Sequence, residues 1–460
     1  MTESYDVIWI GTGQATGTVV PRLVEAGKTV AIAEGGKFGG SCVNYGCTPT
    51  KTMVASARAA HMARRGPDFG VETSPIEINF DRVMERQKSI RRKGSRGLEN
   101  WLKGLEGVTV YPEYARFTGP HRVEVGEETI QGDTIVINAG GHPRVIPFDG
   151  IDDVDWLDNA RLLDLEERPD HLVVIGGSYI GLEFAQIFRR LGSRVTVLDA
   201  APQLMPREDQ DIAETAQQIL EKEGIEIILK ARIQRLSQPE EGQVQVHYQH
   251  KDQDLQQVEG SHLLLAVGRV PNSAGLNLEA AGVAVDDQGY IKVNQVMQTS
   301  VEHIYAVGDI NGEGAFTHTS VNDGEIFWDQ YSGSGKRTLD LRVPTYAMFI
   351  DPPLGRVGLT EKEARESGRK IWMATRPMKE IARAREKDET AGMVKILVDQ
   401  DSEEIVGAAV LGVGGDEVIN LFTPFMYTGE SYQLFRKAVL THPTVGELMP
   451  WILDDLQPLE

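Results

Sequence analysis

The sequence predicts an α/β fold: two wound βαβ units in tandem, then a C-terminal α+β segment. Three observations carry this. At two separate places an apolar run breaks at glycines and continues with helical periodicity; each of these units closes with an acidic residue at the same distance from its first glycine; and a Gly/Ser-rich stretch divides both from the mixed strands and helices that follow.

The first unit opens with Tyr5-Asp6-Val7-Ile8-Trp9-Ile10, turns at Gly11-Thr12-Gly13, runs helically to Gly27 and returns as the apolar segment 29–33. The second opens with His171-Leu172-Val173-Val174-Ile175, turns at Gly176-Gly177-Ser178-Tyr179-Ile180-Gly181, runs helically to about Arg190 and returns as 194–198. Glu34 follows Gly11 by 23 positions, and Asp199 follows Gly176 by 23. Each unit has a later echo, a strand entering a glycine turn: Ala139-Gly140-Gly141 in the first and Val267-Gly268-Arg269 in the second. Residues 236–261, rich in Gln and Glu with weak alternation, predict solvent-facing strands. Ser332-Gly333-Ser334-Gly335-Lys336 is similar at first sight to a phosphate loop, but Gln330 and Arg337 break that pattern, and it reads as a linker.

Glycines at a strand-to-helix turn let backbone N–H groups approach a pyrophosphate at the helix N-terminus, and a carboxylate ending the next strand receives a ribose hydroxyl. Gly11, Gly13 and Glu34 meet this in the first unit. Gly176, Gly181 and Asp199 meet it in the second, with Ser178 in the middle glycine position. Two Rossmann-like dinucleotide-binding domains are therefore expected. Thr16 stands where Gly or Ala is usual, which predicts looser helix–strand packing. Pro21 removes a bond to the Gly17 carbonyl at about 3 kcal/mol or more, which predicts a kink.

The length of 460 residues allows about three domains at roughly 150 residues each. With 47 Lys and Arg against 68 Asp and Glu, the net charge of −21 opposes binding to nucleic acid or an anionic membrane. No apolar stretch approaches the ~18 residues of a membrane span, and Met1 to Trp9 lacks the regions of a signal peptide. A cytoplasmic protein is expected, with neither nucleic acid nor membrane as partner.

Two cysteines are too few for a metal ribbon or a disulfide framework, yet both fall in Cys42-Val43-Asn44-Tyr45-Gly46-Cys47. A reduced Cys47 just before Thr48-Pro49 is expected to feel a helix N-terminal dipole that stabilises thiolate, which makes the pair a reactive dithiol. The alternatives are a structural bridge or inert core thiols, and a cytosolic setting disfavours the bridge.

The segment from Gly39 to Lys51, Gly-Gly-Ser-Cys-Val-Asn-Tyr-Gly-Cys-Thr-Pro-Thr-Lys, resembles the active-site signature of the flavin-dependent pyridine nucleotide–disulfide oxidoreductases, in the branch of mercuric reductase and dihydrolipoamide dehydrogenase. The resemblance extends through Ala306-Val307-Gly308-Asp309, similar to a second flavin fingerprint, and Val343-Pro344-Thr345, similar to the start of a dimerisation domain. Thr441-His442-Pro443-Thr444-Val445-Gly446-Glu447 resembles the family's C-terminal His–Glu motif.

The resemblance implies four regions: an FAD-binding domain (1–150), an NAD(P)-binding domain (151–272), a part completing the FAD domain (273–340) and an interface domain (341–460). It implies that NADH electrons pass by way of FAD to a Cys42–Cys47 redox disulfide and on to a dithiol/disulfide acceptor. Cys42 then attacks substrate and Cys47 faces the flavin. Lys51 lies near the flavin and pairs with Glu183, and Tyr179 covers the nicotinamide pocket. Ser41, Ala115, Ala139 and Gly140 contact FAD, Asp309 binds its ribityl chain, and Thr317 and His318 start a helix beneath the flavin. Gly268 belongs to the nicotinamide site. His442, held by Glu447, comes from the partner subunit of a homodimer; Thr444-x-x-Glu447 is also a capping box in its own right.

Asp199 precedes Ala200-Ala201-Pro202, with no adjacent cation for a 2′-phosphate, so NADH is favoured over NADPH; Arg207 is the nearest positive residue in sequence. Pro21 and Glu325 stand where glutathione reductases carry arginines, so glutathione is not the expected substrate. The tail from Asp454 to Glu460 lacks the cysteine pair of mercuric reductases, whereas Arg383-Ala384-Arg385-Glu386 resembles that group. The acceptor is thus a small disulfide or dithiol, or a metal ion. The reading from another class is a low-turnover flavin redox sensor. No resident metal is expected.

Overall fold

The computed structural model describes residues 2–250 and 254–459. Met1 of the leader reading, residues 251–253 of the Gln/Glu-rich stretch and Glu460 of the tail lie outside the described residues.

The first strand, β1 (Glu3–Ile10), buries Val7 to Ile10 almost completely. A strand covered on both faces is apolar throughout instead of alternating, which is why this run shows no period of two. It pairs in parallel with β2 (Val30–Ala33) and β6 (Glu128–Ile137), and with β3 (Val108–Tyr111), β4 (Ala115–Gly119) and β5 (Arg122–Val125) the order is β3-β2-β1-β6-β5-β4. The crossover from β1 to β2 is helix α1 (Thr16–Glu25), which continues through Pro21 without ending there. Thr16 does not loosen the packing as expected. It is fully buried, and its hydroxyl accepts the Trp9 indole N–H at 2.9 Å, filling the small-residue position with a hydrogen bond.

Between β2 and β3 lie α2 (Gly40–Asn44), α3 (Cys47–Arg64) and α4 (Phe80–Lys103). The chain then leaves the first sheet along β7 (Gly141–Pro143). A single helical turn, α5 (Asn159–Leu162), follows β8 (Trp156–Leu157). Strand β9 (His171–Ile175), helix α6 (Tyr179–Leu191) and strand β10 (Arg194–Leu198) form the second βαβ unit, followed by α7 (Gln210–Lys222) and β11 (Glu226–Ile228).

Three antiparallel strands, β12 (Ala231–Ser237), β13 (Val244–His250) and β14 (Gln256–Gly260), form a separate sheet. These are not purely solvent-facing strands: Val244, Val246 and Tyr248 are buried against Val173, Leu198 and Leu263. Strand β15 (His262–Leu265) completes the parallel order β11-β10-β9-β15-β8.

Strand β16 (Arg269–Pro271) pairs with β7, so the chain enters and leaves the second unit along one antiparallel ribbon. It then returns to the first sheet, where β17 (Ile304–Ala306) lies in parallel beside the C-terminal half of β6. Helix α8 (Thr317–Tyr331) follows, then the exposed linker at Ser332 to Lys336. The last unit is an antiparallel sheet, β18 (Thr345–Met348), β19 (Leu354–Gly358), β22 (Ile405–Leu411), β21 (Met393–Asp399) and β20 (Ile371–Pro377), with helices on it. One apolar core joins the units: Met53 of α3, Phe80 of α4, Phe188 of α6, Leu220 of α7, Met348 of β18 and Leu411 of β22 belong to it. Among the described residues, no helix is long and apolar enough to cross a membrane.

Candidate active site

Both glycine turns take the shape that their sequences predict. Gly11 has φ +93°, and a Cβ there would sit 2.4 Å from the Asn138 carbonyl oxygen; Gly176 has φ +118°, and a Cβ would sit 2.3 Å from that of Ala266. Only glycine adopts such a turn against a neighbouring strand without strain. Gly13 lies against the Asn138 side chain and Gly181 against the Gly176 carbonyl, while Gly140 and Gly268 face open space. Ser178 is the N-cap of α6 and Tyr179 its first residue.

Glu34 accepts from the Thr12 N–H and hydroxyl (2.8 and 2.6 Å) through one oxygen and from Gly36 N–H (2.8 Å) through the other. Asp199 accepts from Gly177 N–H (2.5 Å) and Ala201 N–H (2.7 Å). Each acid is therefore aimed at its own glycine turn. Ala115 starts β4, and Ala139 and Gly140 follow β6.

Asp309 sits at a turn in which Asp323 accepts from Gly308 N–H (2.7 Å) and Asn311 Nδ2 (2.9 Å). Burial pushes the Asp309 carboxyl up, opposed by Arg269, whose Nε is 4.0 Å away. A half-buried acid with one distant cation has room for hydroxyl donors such as a ribityl chain. With the open glycine turns, this makes the residues present fit FAD. Arg269 also donates to Ser41 Oγ (3.0 Å) and to the Gly141 carbonyl. Sequence reading missed Arg269, Asp323 and Thr12. Arg269 had one signal, a cation directly after the Gly268 turn; Asp323 had none.

The dithiol spans two helices, Cys42 within α2 and Cys47 as the first residue of α3. Asn44 pins the connection by donating to the Phe38 carbonyl (2.8 Å), and Asn159 does so by donating to that of Tyr45 (2.6 Å). The thiols are unlinked; Cys42 is half-buried and Cys47 exposed. The Cys42 S–H bonded to it, with help from the Thr317 hydroxyl at 3.5 Å and the Lys51 charge, pulls the Cys47 thiol down to about 6, while the same bond and burial push Cys42 up. Cys47 is thus thiolate above about pH 6 and Cys42 keeps its proton. Thiolate absorbance near 240 nm, taken as reduced wild type minus reduced Cys47→Ser, is expected to rise with pH through a midpoint near 6. A midpoint near the free-thiol value of about 8.5 refutes the assignment.

Lys51 Nζ donates to Glu183 Oε2 at 2.7 Å, as the resemblance implies, and Glu183 Oε1 accepts from Phe349 N–H at 2.8 Å. His318 Nε2 lies 2.6 Å from the Thr345 carbonyl, which can only accept, so that nitrogen carries the proton; burial lowers its pKa and favours the neutral ring. Tyr179 and Tyr346 both donate to Glu208 Oε1, at 2.5 and 2.7 Å. Glu208 Oε2 takes Arg356 Nε at 2.8 Å, and Arg356 Nη2 reaches Asp209 at 2.7 Å. These partners of Tyr179 were also missed by sequence reading.

His442 Nδ1 lies 3.0 Å from both Glu447 oxygens. The imidazole is 76% exposed, and none of its bonds reaches the dithiol residues of its own chain. Glu447 N–H donates to Thr444 Oγ1 (3.2 Å), giving half of the capping box; the Glu447 carboxylate goes to His442 instead of back to Thr444.

Residues 5–324 match the pyridine nucleotide-disulphide oxidoreductase family, and residues 344–453 match its dimerisation domain. The chain belongs to this family, whose members are oxidoreductases using FAD and NAD(P)H. Among its relatives, the probable pyridine nucleotide-disulfide oxidoreductase RclA of Escherichia coli K12 is 38% identical over 456 residues, 97% of this chain and 98% of RclA. A dihydrolipoyl dehydrogenase of Thermus scotoductus is 32% identical over 97% of this chain and 96% of its own. A mercuric reductase of Lysinibacillus sphaericus is 30% identical over 91% and 76%. The solved Cu(II) complex of RclA, described as an HOCl-induced flavoprotein disulfide reductase, superposes with a TM-score of 0.88 at 37% identity, covering 98% of this chain and 99% of that one.

Proposed function

We propose that the protein is an NADH-dependent disulfide reductase whose Cys42–Cys47 pair receives two electrons by way of FAD and passes them to a small disulfide. The observation that carries this reading is the unlinked thiol pair where α2 and α3 adjoin, Cys47 opening α3 with its Sγ 3.5 Å from Thr317 Oγ1. FAD, when bound, supplies two-electron exchange between nicotinamide and sulfur.

We assign the FAD pyrophosphate to the turn at Gly11 and Gly13, its adenosine end to Glu34 and Ala115, and its ribityl chain to Asp309. Ser41, Ala139, Gly140, Thr317 and His318 complete that site. The nicotinamide coenzyme is assigned to Gly176, Ser178, Gly181, Asp199 and Gly268, with Tyr179 as its cover and Glu183 beside it. NADH is favoured because a 2′-phosphate would meet the Asp199 carboxylate.

The chemistry of the chain's own groups follows from their polarity. Cys42 keeps its proton, so it needs a base before it attacks. His442 is that base: Nδ1–H is given to Glu447, which leaves Nε2 free to accept. Since His442 does not meet Cys42 within one chain, we assign it to the dithiol of the partner subunit in a homodimer. Cys42 thiolate attacks one sulfur of the acceptor, forming a mixed disulfide, and His442 returns the proton to the departing thiol. Cys47 thiolate then attacks the Cys42 sulfur, which releases the second half of the acceptor and leaves a Cys42–Cys47 disulfide. Lys51, held by Glu183, stabilises Cys47 thiolate by charge. A lone close dithiol, with no other cysteine to form a framework, suits a cytoplasmic enzyme.

Anaerobic titration with NADH tests this. A long-wavelength thiolate–flavin charge-transfer band is expected to appear and to be discharged by lipoamide; no band returns the cysteines to a structural role. A second reading has one observation in its favour, the Cu(II) complex of RclA. In this second reading the Cys47 thiolate and Cys42 thiol together give one electron to each of two Cu(II) ions, yielding two Cu(I), one proton and the disulfide. A band that persists with lipoamide and is discharged by Cu(II) supports it.

A further inference from the structure

Glu208 lies on the connection from β10 to α7, and its side chain is buried. Its carboxylate receives three donors, two of them from one place. Tyr346 of β18 and Arg356 of β19 are cross-strand partners, so their side chains leave the same face of the sheet. Tyr346 gives its hydroxyl to Oε1 at 2.7 Å and Arg356 gives Nε to Oε2 at 2.8 Å. The third donor is Tyr179, whose hydroxyl reaches Oε1 at 2.5 Å. One buried oxygen therefore carries two tyrosines.

The two tyrosines are held unequally. The Tyr346 ring is parallel to that of Phe316, with centroids 5.4 Å and planes 4° apart, and Phe316 stacks in turn on His318. With its backbone in the ladder and its ring in this stack, Tyr346 is fixed. Tyr179 is the first residue of α6, and its ring meets that of Tyr346 at a tilt of 39°, 5.6 Å away. Burial and the Glu208 charge push the Tyr179 phenol pKa up, so it stays a donor. A tyrosine that covers a coenzyme pocket has to leave when the nicotinamide enters. Here leaving means giving up a hydrogen bond to a carboxylate, the stronger kind, while Tyr346 and Arg356 stay behind and keep Glu208 bonded.

We propose that Glu208 is a positioning residue for coenzyme entry: it latches Tyr179 over the nicotinamide pocket, and Tyr346 sets the strength of the latch by sharing the same carboxylate oxygen. The proposal rests on the reading of Tyr179 as the cover of that pocket. Part of the coenzyme's binding free energy goes into opening the latch, so the affinity is weaker than that of the open pocket, as for any ligand that selects a minor state. Without the Tyr346 hydroxyl, opening would strip Oε1 of both its donors, and the latch would hold harder.

Calorimetry of NAD⁺ binding to the oxidised holoenzyme tests this without any electron transfer. Tyr179→Phe keeps the covering ring and removes the latch bond, and is expected to bind NAD⁺ roughly tenfold more tightly than the wild type. Tyr346→Phe leaves Oε1 to Tyr179 alone, and is expected to bind it roughly threefold more weakly. Once Tyr179→Phe is in place, adding Tyr346→Phe is expected to change the affinity little, since no latch remains for it to strengthen. Disturbed packing would weaken binding in both single variants, so the opposite signs are the signature of the latch. Glu208→Gln, whose neutral amide is the weaker acceptor, is expected to shift the affinity in the direction of Tyr179→Phe; if it does not fold, the tyrosine variants decide. An affinity unchanged or weakened in Tyr179→Phe, or shifts of one sign in both single variants, overturns the latch and leaves the nicotinamide site where it is assigned. Failure of both NAD⁺ and NADP⁺ to bind the wild type and Tyr179→Phe alike overturns the coenzyme reading, and the latch with it.

Discussion

Replacing Cys42 by serine is expected to lower NADH-driven disulfide reduction by at least about a thousandfold, because a covalent step without its nucleophile has no substitute route. The loss is specific. Glu34, Asp309, the glycine turns and Tyr179 are untouched, so NADH oxidation with a quinone or oxygen as acceptor is expected to continue. Cys47 thiolate remains, and the serine O–H takes the place of the Cys42 S–H that donates to it. Full disulfide reductase activity in Cys42→Ser would refute the mechanism. Equal loss of the quinone activity would place the damage in folding or flavin binding instead.

The second large effect concerns stability. Arg356, 1% exposed, is the cation shared by Glu208 and Asp209, both equally buried. Arg356→Met keeps the volume and removes the charge, which strands Glu208 with only its two tyrosine donors. Breaking one side of a buried ion pair costs about 3–5 kcal/mol, and a fall of that size in the unfolding free energy of the holoenzyme is expected. Lys395 lies 3.3 Å from Asp209 and limits the loss on that side.

The pH dependence follows from the direction of the Asp209 shift. Burial raises its pKa, but Arg356 and Lys395 outweigh burial and hold it below the ordinary value. A carboxylate whose folded pKa is depressed contributes stability above its unfolded pKa of about 3.9 and loses it as pH falls through the lower folded value. In Arg356→Met burial gains weight and the folded pKa rises, so the variant's deficit is expected to be larger at pH 7 than at pH 4. A deficit independent of pH would show that packing, not charge, carries the loss. Tyr179 shares Glu208 with Arg356, so the variant is also expected to alter the KM for NADH.

The parts of this molecule that could be read in the sequence are those whose chemistry is written in neighbouring residues. Gly11 to Glu34 and Gly176 to Asp199 each lie within one βαβ unit, and Cys42, Cys47 and Lys51 within ten positions. Their spacing therefore carries their geometry. Glu183 opposite Lys51 and His442 with Glu447 came from the family resemblance, since nothing local joins residue 51 to residue 183. Arg269 and the Glu208–Arg356 pair stayed hidden because each meets its partner across units, Asp323 because it reaches Gly308 and Asn311 only through the fold of a turn, and a lone Arg, Asp or Glu in a single sequence looks like any surface charge. Thr16 misled for the opposite reason: a locally unusual residue was read as a defect, when its hydroxyl answers the buried Trp9 indole. Val244, Val246 and Tyr248 lay in polar company that concealed their buried face.

The return of the chain to its first sheet sets a timetable for biosynthesis. Strand β6 has β1 along one side, but the C-terminal half of its other side is covered by β17. Roughly 170 residues separate them, and at about 5–20 residues per second the ribosome needs on the order of ten to thirty seconds to deliver β17. During that interval the whole second unit emerges, and its parallel sheet, completed by β15, needs no strand from beyond Leu265. The nascent first sheet waits with part of an edge open, and Asp309, on the far side of the insertion, arrives only with the strand that closes it. On the proposed assignment of Asp309 to the ribityl chain, flavin capture is expected to wait until the second unit has been made.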